Sequence, residues 1–422
     1  MNHLLIDFGA SRVKTAIYQN NKIIAIKDYK PAEALIYNNI YYEVPVNKII
    51  QLFYSIIKDY ESYNIKSIFI CSEQHGFVLK SNENFITEYI SWKDNRAIEL
   101  IDNTSTIEFI KNKLPNFKKH TGMNIKPGLP CINLLHMMRL GKIPKKIKII
   151  SLPEIFFSKK VHSTMIAGLG IWDIYKKEPY KELFDLYKSL GYEVTFNEPT
   201  YNVNITSNIN NIDIYTGVGD TQCAIYGANI TENDIILNMG TGSQIAKIDT
   251  LNIEALMEQR PYFNNLNLSI ITHIPSGRAL NCYTGFIDEC IKIGNSKISV
   301  WDLLSKFTVK DLINSDINID LAVFDSAYNF KNGGCINNIT EYNFNINNYL
   351  SSLLRSYIEQ YLNIIDTFNL KNTSILLSGG IPKKLNIIYK YIKEKRKEYD
   401  IRINTSEADD SLNGLLKLIN QI

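Results

Sequence analysis

The chain has 422 residues, 45% hydrophobic and 21% charged, which is too long for one ordinary domain and suits two folded cores. Its 46 Lys and Arg against 43 Asp and Glu leave a net charge of +3 with no long block of one sign, so nucleic-acid binding is not indicated. No apolar run approaches the roughly 20 residues of a membrane span and no basic, cleavable leader opens the chain, so a soluble, cytoplasmic protein without a membrane partner is expected. Six scattered cysteines (Cys71, Cys131, Cys223, Cys282, Cys290, Cys335) lack any CxxC pair, which predicts buried free thiols in a reducing compartment.

In chain order, Leu4 to Tyr18 reads as strand, tight turn at Gly9-Ala10-Ser11, and strand, with a third strand over 22–27. The spacing of Ile49, Ile50, Phe53, Ile56 and Ile57 predicts a helix, and Ser67 to Cys71 a short buried strand. The opening pattern returns later: Ile235-Ile236-Leu237-Asn238-Met239 enters Gly240-Thr241-Gly242-Ser243, as Leu4-Leu5-Ile6-Asp7-Phe8 enters Gly9-Ala10-Ser11. A duplicated strand–turn–strand unit implies two similarly built α/β domains. The Asn-rich stretch 206–211 has linker character and predicts a boundary giving domains 1–211 and 212–422.

There is no GxxxxGK[ST] loop, no GxGxxG opening a helix, no HExxH and no HRD or DFG signature, so phosphate must be handled by another device. Turns of small residues expose backbone N–H groups to phosphate oxygens, with Lys14 adding charge and Ser11, Thr241 and Ser243 adding hydroxyls. Asp7, at the strand end, is placed to hold Mg²⁺ through water. An ordinary hairpin with a turn-capping Asp would read the same at either turn alone. Asp220, in Gly217-Val218-Gly219-Asp220, is a helix cap or the base that receives a substrate hydroxyl proton; a helix N-terminus is expected to keep its pKa low. Gly379-Gly380, between a strand and a helix opened by Pro382, suits close approach of a base or ribose. Glu73-Gln74-His75-Gly76 and Trp92-x-Asp94-x-Arg96 combine acceptors, donors and a stacking ring, the mixture that polyhydroxylated ligands need.

Taken in order, these pieces resemble the FGGY carbohydrate kinases, the family of xylulose, ribulose, glycerol and sedoheptulose kinases. Leu4 to Lys14 is similar to the family's first phosphate segment, with Ala10 in place of the usual Thr. Gly240-Thr241-Gly242-Ser243 resembles the second, and Gly379-Gly380 the adenosine loop. Glu73-Gln74-His75-Gly76 stands where many members carry Gln-Met-His-Gly, and Trp92-x-Asp94-x-Arg96 resembles the sugar-contacting stretch. His162 to Ala167 is similar to a Thr/Ser-Asp-x-Ser-x-Ala stretch but lacks its Asp. The resemblance implies two ribonuclease-H-like domains of the actin-like ATPase kind with ATP and sugar in the interdomain cleft. It implies Asp7 as the Mg²⁺ residue and Asp220 as the base. Gly9, Ser11, Lys14, Gly240, Thr241, Gly242, Ser243, Gly379 and Gly380 would meet ATP, and Glu73, Gln74, His75, Trp92, Asp94 and Arg96 the sugar. The expected reaction is phosphorylation of a small ketose by ATP, with a glycerol or polyol kinase as the alternative and homodimer formation left open. A non-catalytic actin-like ATPase would keep the turns but have no reason to keep the Trp-x-Asp-x-Arg patch. Glu73 replaces an amide donor with an acceptor and a negative charge, which argues against an anionic substrate there.

Overall fold

The computed structural model describes residues 1–156, 159–240, 242–251, 257–295, 298–324, 333–368, 373–405 and 409–421. They divide into two compact units: one of residues 1–229, 250–268 and 407–422, the other of 230–249 and 269–406.

In the first unit, β1 (Asn2–Phe8) pairs antiparallel with β2 (Val13–Gln19), and β2 with β3 (Lys22–Tyr29). Asn20 and Asn21, with φ of 49° and 62°, make the two-residue turn between β2 and β3. On its other side β1 runs parallel to β4 (Ser67–Ser72), which is parallel to β5 (Ile212–Tyr215). Within a seven-stranded sheet these five run in the order β3-β2-β1-β4-β5. Leu4, Leu5 and Ile6 are all buried, as a central strand covered on both faces requires. Beneath them α1 (Val46–Asp59) adds Ile49, Phe53 and Ile56, and Phe53 stacks on Phe156 with centroids 4.4 Å apart. A second core gathers Phe117, Ile132, Leu135, Met165 and Tyr187.

The second unit repeats the plan. β6 (Asp234–Met239) pairs antiparallel with β7 (Ser243–Asp249) and parallel with β9 (Ser374–Ser378), which is parallel to β10 (Asp400–Ile403). With β8 (Asn267–Ile274) beside β7, the order is β8-β7-β6-β9-β10, the same three-strand meander plus two parallel strands. The duplicated architecture expected from the two glycine turns is present.

The boundary differs from the single cut expected after residue 211. Asn210 and Asn211, with φ of 50° and 65°, are the turn of a hairpin whose strands Ile205–Ile209 and Ile212–Tyr215 belong to the first unit's sheet. Asn-rich composition signals a left-handed turn as readily as a linker. Beyond it, α2 (Asp220–Gly227) stays in the first unit, crossing α5 (Asp410–Ile419) with glycines at the contact. A Cβ on Gly227 would stand 1.9 Å from the Asp410 carbonyl, and one on Gly414 2.0 Å from that of Cys223. Of the helices between, α3 (Gly277–Ile293) and α4 (Ile346–Asp366) serve the second unit, α4 burying Leu353, Leu354, Tyr357, Ile358 and Tyr361. Among the described residues no helix is long and apolar enough to cross a membrane. Cys71, Cys131 and Cys223 are buried as expected, but Cys282, Cys290 and Cys335 are exposed.

Candidate active site

Asp7 ends β1 directly opposite Lys14 of β2 and beside Cys71 of β4. Its Oδ2 accepts from Ser411 Oγ at 2.6 Å and from Lys14 Nζ at 3.4 Å, while Lys14 also reaches Asp409 Oδ2 at 2.6 Å. The glycine crossing of α2 and α5 is what lets Asp409 and Ser411 arrive here. Burial raises the Asp7 pKa against the pull of Lys14. Lys14 loses hydration, yet Asp7 and Asp409 outweigh that loss and raise its pKa. The other Asp7 oxygen, Oδ1, is buried without a partner. An orphaned carboxylate oxygen in a carboxylate-rich pocket fits a Mg²⁺ ion, which takes one or two carboxylates and fills its shell with water and phosphate. Among the described residues no cluster of three or more acidic, His or Cys side chains could hold a metal.

Asp220 opens α2 after Gly219, half-buried, with Oδ1 accepting from the Thr221 N–H at 2.6 Å. The low pKa expected from the helix N-terminus is not found. Desolvation, with the charge of Asp7 next and Glu73 further behind, pushes it up to about 7. Burial and like charge together exceed the attraction of one short helix and its N–H groups.

Glu73 follows β4, its backbone N–H on the Phe8 carbonyl at 2.9 Å. Tyr89 Oη donates to its Oε1 at 2.7 Å and Trp92 Nε1 to its Oε2 at 3.1 Å. Tyr89 lies flat against Gly76, where a Cβ would stand 1.9 Å from its hydroxyl. Burial raises the Glu73 pKa. Gln74 Nε2 donates to the Thr164 carbonyl at 2.7 Å. His75, in the left-handed region at φ 62°, shares a hydrogen on Nδ1 with the Gly168 carbonyl at 2.8 Å. Because a carbonyl can only accept, the ring is the Nδ1–H tautomer, and burial holds its pKa well below the usual histidine value.

Asp94 and Arg96 sit behind this surface. Asp94 is fully buried and accepts from the Tyr42 N–H at 2.8 Å, from Arg96 Nε and Nη2, each at 2.8 Å, and from Asn133 at 3.3 Å. Arg96 also reaches Glu43 at 2.5 Å and lies over the Tyr41 ring. These two predicted sugar contacts spend their hydrogen bonds on each other and on the loop, while the partly exposed Trp92 reaches Glu73 directly.

In the second unit Gly240 donates to the Gly242 carbonyl at 3.1 Å, and its own carbonyl accepts from the Gly277 N–H and Ser276 Oγ, both at 3.0 Å. Gly379, at φ 94°, presses on the end of β6: a Cβ there would stand 2.3 Å from the Met239 carbonyl. The diglycine and the second glycine turn are therefore neighbours. Ser243 is buried, and Thr241 lies outside the described residues. Gly9 and Ser11 form the first turn, where a Cβ on Gly9 would stand 2.9 Å from the Arg12 carbonyl.

Sequence reasoning missed Asp409, Ser411 and Gly277, as well as Glu258 and Arg260, which come from the excursion 250–268 between β7 and β8. Arg260 Nη2 pairs with Glu258 at 2.6 Å, Lys126 meets Glu258 at 3.1 Å, and Arg260 Nη1 faces Gln74 Oε1 at 3.5 Å. Asp409-Asp410-Ser411 before an apolar helical pattern was a legible cap signal; the arginine carried no motif. His162 supplies the cap that its stretch lacks an Asp to make, accepting from the Thr164 N–H at 3.3 Å.

Residues 3–174 match the family described as FGGY family of carbohydrate kinases, N-terminal domain. No curated protein sequence matches the chain. Among solved structures, a xylulose kinase from Lactobacillus acidophilus superposes with a TM-score of 0.83 at 17% identity, over 100% of this chain and 90% of that one. A gluconate kinase from the same organism gives 0.80 at 17%, with the same coverages. The Plasmodium falciparum glycerol kinase with ADP gives 0.77 at 14%, again over 100% and 90%. These likenesses establish a shared fold.

Proposed function

We propose that this chain, whose residues 3–174 match the N-terminal domain of the FGGY carbohydrate kinases, is a phosphotransferase with an alcohol group as acceptor and moves the γ-phosphate of ATP to a hydroxyl of a small ketose, xylulose- or heptulose-like. The observation that carries the reading is Asp220: a carboxylate with a pKa near 7, beside Asp7 and Glu73, is matched to taking a hydroxyl proton at neutral pH. Such a base orients the hydroxyl and receives its proton as the bond to phosphorus forms.

Around it the division of labour follows the contacts. Asp7 would hold Mg²⁺, which when bound would neutralise charge on the phosphates; Lys14, shared between two aspartates, would reach the same anions. Glu73, fixed from both sides by Tyr89 and Trp92, is a rigid acceptor for a sugar hydroxyl. Asp94 and Arg96 act behind it as a brace for the 91–96 loop. The turns at Gly9-Ser11 and Gly240-Gly242, the Ser243 position and the diglycine Gly379-Gly380 would meet the nucleotide through backbone N–H groups. ADP release measured over a panel of ketoses and polyols tests the reading. Turnover with at least one ketose supports it, and turnover of glycerol alone overturns the ketose.

A further inference from the structure

Three buried polar atoms near Gln74 have no partner among the described residues: Arg260 Nε, His75 Nε2 and Gln222 Oε1. Leaving such groups unpaired costs roughly 1–3 kcal/mol each, so three together in one place call for a ligand. The contacts put them together. A Cβ on Gly219 would stand 2.4 Å from Gln74 Nε2 and 2.8 Å from Gln222 Oε1, so both amides crowd the residue just before Asp220. Gln222 Nε2 donates to the Pro261 carbonyl at 3.3 Å, and Arg260, its neighbour in sequence, faces Gln74. The charges of Arg260 and Lys126 both act on the His75 ring. Arg260 and Gln222 are 3% and 0% exposed, so an unmet hydrogen bond there is costly.

Their chemistry is specific. Arg260 Nε offers one hydrogen. His75 Nε2 can only accept, because Nδ1 carries the proton given to Gly168; Gln222 Oε1 can only accept, because its Nε2 is given to Pro261. A carboxylate or phosphate would satisfy the arginine but repel the two acceptors. The arginine's charge is moreover already met by Glu258, which Lys126 and Arg260 hold well below the usual carboxylate range despite its burial. Hydroxyls both donate and accept, so neighbouring hydroxyls match this mixture of one donor and two acceptors.

We propose that Arg260, Gln222 and His75 form a recognition site for a vicinal diol of the sugar, away from the hydroxyl that receives phosphate, and so select for ketoses of five to seven carbons over three-carbon polyols. The proposal rests on the kinase reading above and extends it to substrate length. Arg260 and Gln222 are specificity residues that carry no motif.

Steady-state kinetics on the full chain test it with Arg260→Met and, because that change leaves Glu258 with only Lys126, also Gln222→Leu, each checked for folding by circular dichroism. For the best five- to seven-carbon ketose, KM rises about 30-fold in Arg260→Met with kcat little changed, as expected for a lost hydrogen bond to a charged group. The loss of kcat/KM for glycerol is at least about tenfold smaller. Gln222→Leu gives the same split with a smaller rise. Equal losses for glycerol and ketose in both variants, or no loss in either, overturn the proposal, as does an aldonate being the preferred substrate. Wild-type protein that releases ADP with no sugar or polyol at all overturns the kinase reading itself and this inference with it.

Discussion

The two glycine turns invite comparison because each follows a strand of a five-strand set arranged in the same order, yet their charges differ. In the first unit Asp7 stands opposite Lys14; at the equivalent register in the second, Asn238 stands opposite Gln244. The parallel neighbour is Cys71 in one and Ser378 in the other. One copy of the hairpin is therefore an ionic site, with Asp409 and Ser411 recruited to complete it; the other is neutral and surrounded by the close-packed glycines Gly240, Gly277 and Gly379. The fold supplies a turn that exposes backbone N–H groups; on the kinase reading proposed above, the turn flanked by Asp7 would serve the metal and reacting phosphate, and the neutral turn would cradle phosphate oxygens only. A duplicated architecture thus carries charged residues at one turn and neutral ones at the other.

The largest break in that comparison should come from Asp220, which has no counterpart role in the second unit. Asp220→Asn is expected to lower kcat by about 10³-fold, the range of a lost general base, while ATP and sugar binding measured by calorimetry stay within a few-fold. The same variant should be more stable at pH 8. A carboxyl whose folded pKa lies near 7 against 3.8 when unfolded weakens the fold as pH rises between those values. Differential scanning should therefore show a higher Tm for the variant at pH 8, by about 2 °C or more, with the advantage shrinking as pH falls toward 4.

Making the first turn resemble the second is the next largest effect. Asp7→Asn should cost about 10²-fold in kcat/KM and raise the Mg²⁺ concentration needed for half-maximal rate, read in a Mg²⁺ titration of ADP release. Glycine packing is tested by Gly379→Ala, which must hold φ near 94° and meet the Met239 carbonyl. About 1–3 kcal/mol of stability should be lost in urea melts, together with a raised KM for ATP rather than for the sugar. The smallest effect is electrostatic. Wild-type kcat/KM should rise with pH along an acid limb set by Asp220, and Glu73→Gln, which removes a negative charge from the surroundings of Asp220, should move that limb to lower pH.

How much of this was legible in the sequence varies with range. Leu4-Leu5-Ile6-Asp7-Phe8-Gly9 and its repeat before Gly240 gave both sheets, because an apolar run ending in Asp or Asn and glycine is a local signal. Glu73, Gln74 and His75 lie together because they are contiguous at the end of a strand. Three things did not follow. The Asn210-Asn211 pair read as a linker because composition does not distinguish a left-handed turn from a flexible join. The Asp220 pKa was misjudged because the helix is local while Asp7, the neighbouring charge that opposes it, is over 200 residues away in sequence. Arg260 and Asp409 return to the first unit from segments beyond the duplicated strands, and only tertiary packing reveals that return.

The central claim is sugar-dependent phosphoryl transfer with Asp220 as its base. The most direct measurement is the rate of ADP release from ATP and Mg²⁺ by wild type and Asp220→Asn, with and without a ketose panel. Release that depends on a sugar in the wild type and is lost in the variant is the expected result. Release at the same rate without any sugar, or a fully active variant, would contradict it.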